Sequence, residues 1–259
     1  MKLIATRSTA LIAMLLPALA LAQDRPISID DILALDSVGN PQVSPDGEWV
    51  AYTVTSRDME EDERRTRIWM ISVDGGEPIP MTSPDYSANN VRWSPDNRYL
   101  SFSASRGEDA KTQVWTLDRR GGEALAYTAV DQGVRDFRWS PDGSRMLLMI
   151  RDKSASELAN EAAEEAGEEA RPLPYVIDRL QFKQDGVPYL DRSRTHLYVI
   201  DEREGEPLQL TFGDYDDGQP AWSPDGTEIA FSSNRTEEPD GNDNADIWVV
   251  STVGDLSLI

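Results

Sequence analysis

The sequence predicts an all-β fold, a β-propeller of four-stranded blades, and three observations carry that prediction. One pentapeptide recurs four times, the residues downstream of each copy align position by position, and a glycine turn with a closing threonine follows at matching distance. The copies are Val43-Ser44-Pro45-Asp46-Gly47, Trp93-Ser94-Pro95-Asp96-Asn97, Trp139-Ser140-Pro141-Asp142-Gly143 and Trp222-Ser223-Pro224-Asp225-Gly226. Their serines lie 50, 46 and 83 residues apart, so the last gap is one repeat plus an insertion. A period in this range marks propellers and solenoids, whose repeats bury apolar surface only against their neighbours.

Each element has a local cause. Proline presets φ near −65° for the first central turn position, aspartate tolerates the second, and glycine or asparagine accepts the positive φ that follows. The pentapeptide is therefore a hairpin turn between a first and a second strand. On the second strand, Val50, Leu100, Met146 and Ile229 share one position, and Tyr52, Phe102, Leu148 and Phe231 share the next one on that face. Between them stand Ala51, Ser101, Leu147 and Ala230, mostly small residues. Such a strand is partly buried on both faces, as in stacked sheets. The third strand carries Ile68-Trp69, Val114-Trp115, Leu197-Tyr198 and Ile247-Trp248. Gly75-Gly76-Glu77, Gly121-Gly122-Glu123, Gly205-Glu206 and Gly254-Asp255 then turn into a fourth strand, which closes at Thr82, Thr128 and Thr211.

About four blades result, an incomplete propeller, with expected bounds 39–83, 84–129, 130–212 and 213–259. Alignment of Gly254 with Gly75 stops the chain inside a fourth strand, so the expectation is the N-terminal portion of a longer protein. Two segments lie outside the repeat. Residues 23–38 hold a short helix, with Ser28 as N-cap and Asp31 in the capping-box position. The insertion, 152–194, parts the second and third strands of the third repeat. Its stretch Ser156 to Ala170 is Ala- and Glu-rich without a basic residue, favouring a solvated helix or arm. Tyr175 to Leu190 holds enough aromatic and aliphatic residues to dock.

The first 22 residues read as a signal peptide. Lys2 and Arg7 precede an apolar run too short to span a bilayer comfortably, and Ala20-Leu21-Ala22 offers a cleavage site before Gln23. A periplasmic or secreted protein, free of the membrane after cleavage, is expected. The net charge of −22 becomes −24 without Lys2 and Arg7 (47 acidic against 23 basic residues), which disfavours nucleic acid as a partner. There is no cysteine, and so no disulfide or thiol nucleophile.

The chain resembles the prolyl oligopeptidase family of serine peptidases, in its acylaminoacyl-peptidase and dipeptidyl-peptidase branch. The resemblance rests on the helix before Pro41-Gln42-Val43-Ser44-Pro45-Asp46-Gly47-Glu48-Trp49-Val50-Ala51-Tyr52 and on the Gly-Gly-Glu turns. It rests also on Ile177-Asp178-Arg179-Leu180-Gln181-Phe182-Lys183-Gln184-Asp185-Gly186 leading into Thr195-His196-Leu197-Tyr198-Val199-Ile200-Asp201. It covers about residues 27 to 253. The Tol-system periplasmic propeller shares the Ser-Pro-Asp-Gly turn but would place an α/β domain first. The resemblance implies a propeller that caps a C-terminal α/β-hydrolase domain and admits short or unfolded peptides. The triad is not implied for this chain, because no Gly-x-Ser-x-Gly occurs in it. The reading is a substrate-gating portion of an exported serine peptidase, inactive alone. The alternative is a stand-alone Tol-type binding or scaffold propeller.

His196, the single histidine, aligns with Arg67, Gln113 and Asp246 and reads as a structural surface position at a strand start. Asp214, Asp216 and Asp217, and the stretch Asp240-Gly241-Asn242-Asp243-Asn244-Ala245-Asp246, suggest calcium by composition. Neither fits the EF-hand loop, and both read as solvated loops. Asp46, Asp96, Asp142 and Asp225 are explained by turn formation. No spacing singles out a carboxylate pair for glycoside hydrolysis, and one histidine is too few for the metal ring of a lactonase-type propeller. Dipeptidyl-peptidase relatives hold a substrate amino terminus with propeller glutamates, but no motif maps these onto the insertion, which reads as a solvated arm. No catalytic, cofactor-binding or metal residue is assigned, and no cofactor is expected.

Overall fold

The computed structural model describes residues 26–59, 61–107, 110–169, 173–174, 176–183, 185–186, 189–201 and 203–252. The signal-peptide reading (1–22), Tyr175 and Gln184 of the insertion, and the final turn from Gly254 onward lie outside the described residues. Met1–Leu35 and Asp36–Ile259 form two separate units. In the first, α1 (Ile29–Leu33) begins with a capping box: the Asp31 N–H donates to Ser28 Oγ at 3.3 Å, and the Ser28 N–H donates to Asp31 Oδ2 at 2.9 Å.

The second unit repeats one antiparallel sheet. Blade 1 holds β1 (Ser37–Val43), β2 (Trp49–Asp58), β3 (Glu63–Ser72) and β4 (Ile79–Pro80), hydrogen-bonded in that order. Blade 2 holds β5 (Ala88–Trp93), β6 (Tyr99–Ala104), β7 (Gln113–Asp118) and β8 (Leu125–Ala126). Blade 3 holds β9 (Asp136–Trp139), β10 (Met146–Arg151), β11 (Thr195–Ile200) and β12 (Leu208–Gln209), with α2 (Ala155–Glu165) in the insertion between β10 and β11. The described strands of blade 4 are β13 (Asp217–Trp222), β14 (Glu228–Ser233) and β15 (Asp246–Ser251). This is a β-propeller blade pattern: four short antiparallel strands, repeated side by side.

The pentapeptide turn forms by the same bonds each time. In blade 3, Ser140 Oγ donates to Asp142 Oδ1 at 2.6 Å and accepts the Arg145 N–H at 2.9 Å, while Asp142 Oδ1 takes the Ser144 N–H at 3.1 Å. Blade 4 repeats this through Ser223, Asp225, Glu228 and Thr227 at 2.6, 3.0 and 3.1 Å. The residue after the aspartate has positive φ in every copy: Gly47 75°, Asn97 61°, Gly143 72° and Gly226 70°. These bonds favour the carboxylate. The Ser140 hydroxyl first, then Ser144, holds Asp142 down to about 2, and the Ser223 hydroxyl does the same for Asp225. The closing threonines are equally local in purpose. Thr82, Thr128 and Thr211 each offer a hydroxyl that accepts the N–H of Ile68, Val114 and Leu197 at 3.0 Å, extending the ladder past the two-residue fourth strands.

Blades stack with a fixed polarity. The large residues of a second strand point back onto the preceding sheet, and its small residues meet the next one. Leu100 and Phe102 pack with Ala51, Ile68 and Met70 of blade 1. Met146 and Leu148 pack with Val114 of blade 2, and Ile229 and Phe231 with Leu147 and Leu197 of blade 3. The tryptophan before the turn in blades 2, 3 and 4 pins the same joint. Its indole N–H donates from Trp93 to the Gln42 carbonyl at 2.9 Å, from Trp139 to Ser101 Oγ at 2.9 Å, and from Trp222 to the Arg138 carbonyl at 3.4 Å.

Candidate functional site

The insertion, the segment entering β13 and the loop between β14 and β15 line an open cavity of about 670 Å³. Its floor is the start of β11 and β13, and its walls bring Arg135, Arg151, Arg179 and Arg194 among Asp191, Asp214, Asp216, Asp217, Asp240 and Asp243. Tyr215, Met149, Leu190 and Pro239 add apolar surface. A concave wall of mixed charge with apolar patches suits a zwitterionic or peptidic ligand better than a purely apolar one.

His196 is not on the surface, contrary to its sequence reading. It is 3% exposed, with Nδ1 3.2 Å from Asp217 Oδ2 and Nε2 3.5 Å from Asp152 Oδ2. The alignment gave its register correctly, at the start of a third strand. What it missed is the chain folded over that strand start, where the insertion leaves at Asp152 and β13 begins at Asp217. The aligned residues do related work at the same joint. The Arg67 guanidinium donates to the Thr82 carbonyl at 2.9 Å, and Gln113 accepts from the Thr128 hydroxyl at 2.7 Å and from the Val130 N–H at 3.0 Å. His196 holds the corresponding exit in blade 3 through Asp217. Both ring nitrogens face carboxylates, so neither is placed to take a proton from a serine hydroxyl. The Ser233 hydroxyl bonds Asp217.

Asp217 is the centre of this network and is likewise not a solvated loop residue. Its side chain is fully buried and meets Arg235, itself 7% exposed, at 3.0 Å. Burial pushes Asp217 up, but bonds from His196, Thr211, Ser233 and Arg235 outweigh it, and its pKa lies below the ordinary carboxylate value. The Arg235 guanidinium also lies over the rings of Tyr215, Trp248 and Phe231, 5.1–5.4 Å from their centroids.

The remaining acidic candidates are spread over several ion pairs. Asp214 and Asp216 meet Arg194 at 2.7 and 3.1 Å, and Asp214 also meets Arg192 at 3.3 Å. Burial acts to lower Arg194, yet these two carboxylates hold its pKa above the usual arginine value. Asp240 takes Arg179 at 2.6 Å, and Arg179 donates to the Asp191 carbonyl at 2.8 Å, which ties the insertion to the blade 4 loop. Arg151 pairs with Asp191. Asp246 belongs to β15 rather than to a loop. Among the described residues, no group of three or more histidine, aspartate or glutamate side chains is arranged to hold a metal ion.

The apolar residues expected to dock the second half of the insertion do not all do so. Val176, Ile177 and Leu180 are exposed, and the polar contacts of Arg179 tether this stretch. Arg179 and Arg194 were missed by sequence reasoning. Their signal was present as basic residues scattered through an insertion otherwise read by its glutamates.

The chain is 34% identical over 224 residues to a Bacillus subtilis (strain 168) protein described as uncharacterized peptidase YuxL. The chain is a homologue of this peptidase. The match takes in 86% of the chain but 34% of the relative, so the chain spans about a third of that protein's length. No family model matches the chain. Among solved structures, the Pyrococcus horikoshii acylaminoacyl peptidase (orthorhombic form) superposes with a TM-score of 0.64 at 18% identity, over 87% of this chain and 32% of that one. TolB from Acinetobacter baumannii gives 0.52 at 17% identity, over 86% of this chain and 43% of that one. At such identities the two structures support the propeller fold alone.

Proposed function

We propose that the chain is the propeller portion of an exported serine peptidase that hydrolyses short peptides, with the catalytic α/β-hydrolase domain outside this chain. The observation that supports it is homology to a peptidase of which the match takes in 34%, running along the blades. The charged cavity beside the insertion is where a peptide would be held and screened by size on its way to the active site. Arginine and aspartate side chains together suit the charged ends and amides of an extended peptide, while a folded domain cannot enter a cavity of about 670 Å³. Lys2, Arg7 and the Ala20-Leu21-Ala22 site support export.

The chain alone is expected to be inactive. Peptide p-nitroanilides should be untouched, and a serine-directed phosphonate should leave no adduct; turnover that the phosphonate blocks would sink the proposal. Fluorescein-labelled peptides of five to ten residues should bind with an anisotropy rise that Arg194→Ala weakens. Failure of any peptide to bind would remove the gating role. A Tol-type scaffold is the second reading, kept because the Ser-Pro-Asp-Gly turn is shared with the Tol-system propeller. It predicts a folded protein partner in place of short peptides.

A further inference from the structure

Three of the four arginines in the cavity beside the insertion are already matched by a carboxylate. Arg194 meets Asp214 at 2.7 Å and Asp216 at 3.1 Å, Arg179 meets Asp240 at 2.6 Å, and Arg151 pairs with Asp191. Arg135, the fourth arginine of the wall, is the exception. It is exposed, and among the described residues its side chain has no hydrogen bond and no ion pair. Its backbone is nonetheless fixed, because the Arg135 N–H donates to the Met149 carbonyl at 2.8 Å, one residue before β9. Arg135 also lines a second cavity of about 460 Å³, where Lys111 meets Glu157 at 3.8 Å and Asp152 faces His196 at 3.5 Å. It is thus an unneutralised guanidinium on an anchored backbone, on the wall that two cavities share.

The repeat sets this residue apart as well. Arg135 stands five residues before the turn serine Ser140, a register held by the smaller residues Gly39, Asn89 and Gly218 in the other blades. Arginine occurs there in the blade that carries the insertion, and Gly218 lines the same cavity with no side chain to fill it. In a chain of 47 acidic and 25 basic residues, and in a wall with six aspartates, this arginine is left without an acid of its own. A guanidinium in that state suits a planar carboxylate, which it can hold through two parallel N–H donors. The surrounding aspartates tolerate one negative charge against it and disfavour a doubly charged phosphate.

We propose that Arg135 binds a carboxylate of the peptide held in this cavity. This role depends on the peptide-gating reading above and gives it a chemical preference: the cavity admits by size, and Arg135 selects by a negative group. A free C-terminus and an acidic side chain present the same carboxylate chemistry, and the peptides of the test separate them.

The test is isothermal titration calorimetry of the purified chain with three peptides of about five otherwise neutral residues, each with a free amino terminus. One ends in a C-terminal acid, the second is its C-terminal amide, and the third is that amide with a central glutamate. A gain of about tenfold over the plain amide is expected from one charge-assisted pair. The gain in the acid assigns the carboxylate to the peptide's C-terminus, and the gain in the glutamate peptide assigns it to a side chain. The preference should shrink from about 50 to 500 mM NaCl as the pair is screened. Arg135→Gln should bring all three peptides to the affinity of the plain amide. It should leave that affinity and the circular dichroism as in the parent, because Arg135 is exposed and its side chain holds nothing else in place. Equal binding of the three peptides by the parent, or a preference that survives Arg135→Gln, overturns the role of Arg135 and leaves the gating reading standing. Binding of none of them overturns both.

Discussion

Replacing Asp217 by asparagine removes one charge from a fully buried network while preserving side-chain shape. The carboxylate receives His196, Thr211, Ser233 and Arg235, and the guanidinium of Arg235 is 7% exposed. Deleting one partner of a buried pair costs about 3–5 kcal/mol, because the remaining charge stays desolvated. Asparagine retains an acceptor oxygen and recovers roughly 1 kcal/mol of that through hydrogen bonding. The expected loss is therefore about 2–4 kcal/mol, read from urea unfolding followed by the fluorescence of the seven tryptophans. The cost should be smaller in the pair. Arg235→Met on top of Asp217→Asn removes the stranded charge, so the double variant should lose less than the sum of the two single losses by about 1 kcal/mol or more. The pH profile supplies a second reading. The folded pKa of Asp217 lies below the unfolded value of about 3.9, so its stabilisation is complete above that value and fades as pH falls through the folded pKa. The variant should lack that part of the acid limb. A loss under about 0.5 kcal/mol, or strict additivity with Arg235→Met, would refute the network as described.

Three further outcomes test the repeat itself and the tether. Thr128→Val strands the buried Val114 N–H and should cost about 1–3 kcal/mol in urea unfolding, whereas Thr128→Ser restores the acceptor and should recover most of the loss. Asp142 and Asp225 titrate at about 2 in the folded chain, so the stability they supply is whole above the unfolded value of about 3.9 and is lost as pH falls through about 2. Acid titration by circular dichroism should show Asp142→Asn unfolding over a narrower, shallower acid limb than the parent. Arg179→Met cuts the bond to Asp240 and should speed cleavage within the insertion by a protease of broad specificity while the main unfolding transition stays in place.

The fold was legible because its determinants are short-range. All the bonds that shape Ser140-Pro141-Asp142-Gly143 lie within five residues, so the pentapeptide reports its own geometry wherever it occurs. The threonine position was legible for a related reason: a hydroxyl at a fixed distance after a glycine turn meets the same N–H in three blades. The first-strand bulges were not. Asn40, Asn90 and Gln219 share positive φ at 48°, 54° and 51°, four residues before the turn serine, but the residue type changes between blades and blade 3 lacks the feature. In blade 3 that position is Asp136, which lacks the positive φ and instead gathers Asn90 at 2.7 Å, Arg92 at 3.2 Å and Arg138 at 2.7 Å.

The site was hidden for the opposite reason. A repeat assigns each residue a register and a face, and it does so correctly for His196. Exposure, however, is decided by whatever crosses that face, and here the crossing segments are the ones the repeat does not describe: the insertion departing at Asp152 and the connection ending at Asp217. The partners of His196 lie 44 residues before it and 21 residues after it, outside the reach of any local rule. Arg67 and Gln113 could have signalled the role. A long polar side chain at that register in each of the first three blades implies a joint that needs a hydrogen-bonding group, and the departure from arginine and glutamine to histidine occurs in the one blade that carries the insertion. The deviation from the repeat, more than the repeat, points to where blade 3 has been adapted to hold a cavity.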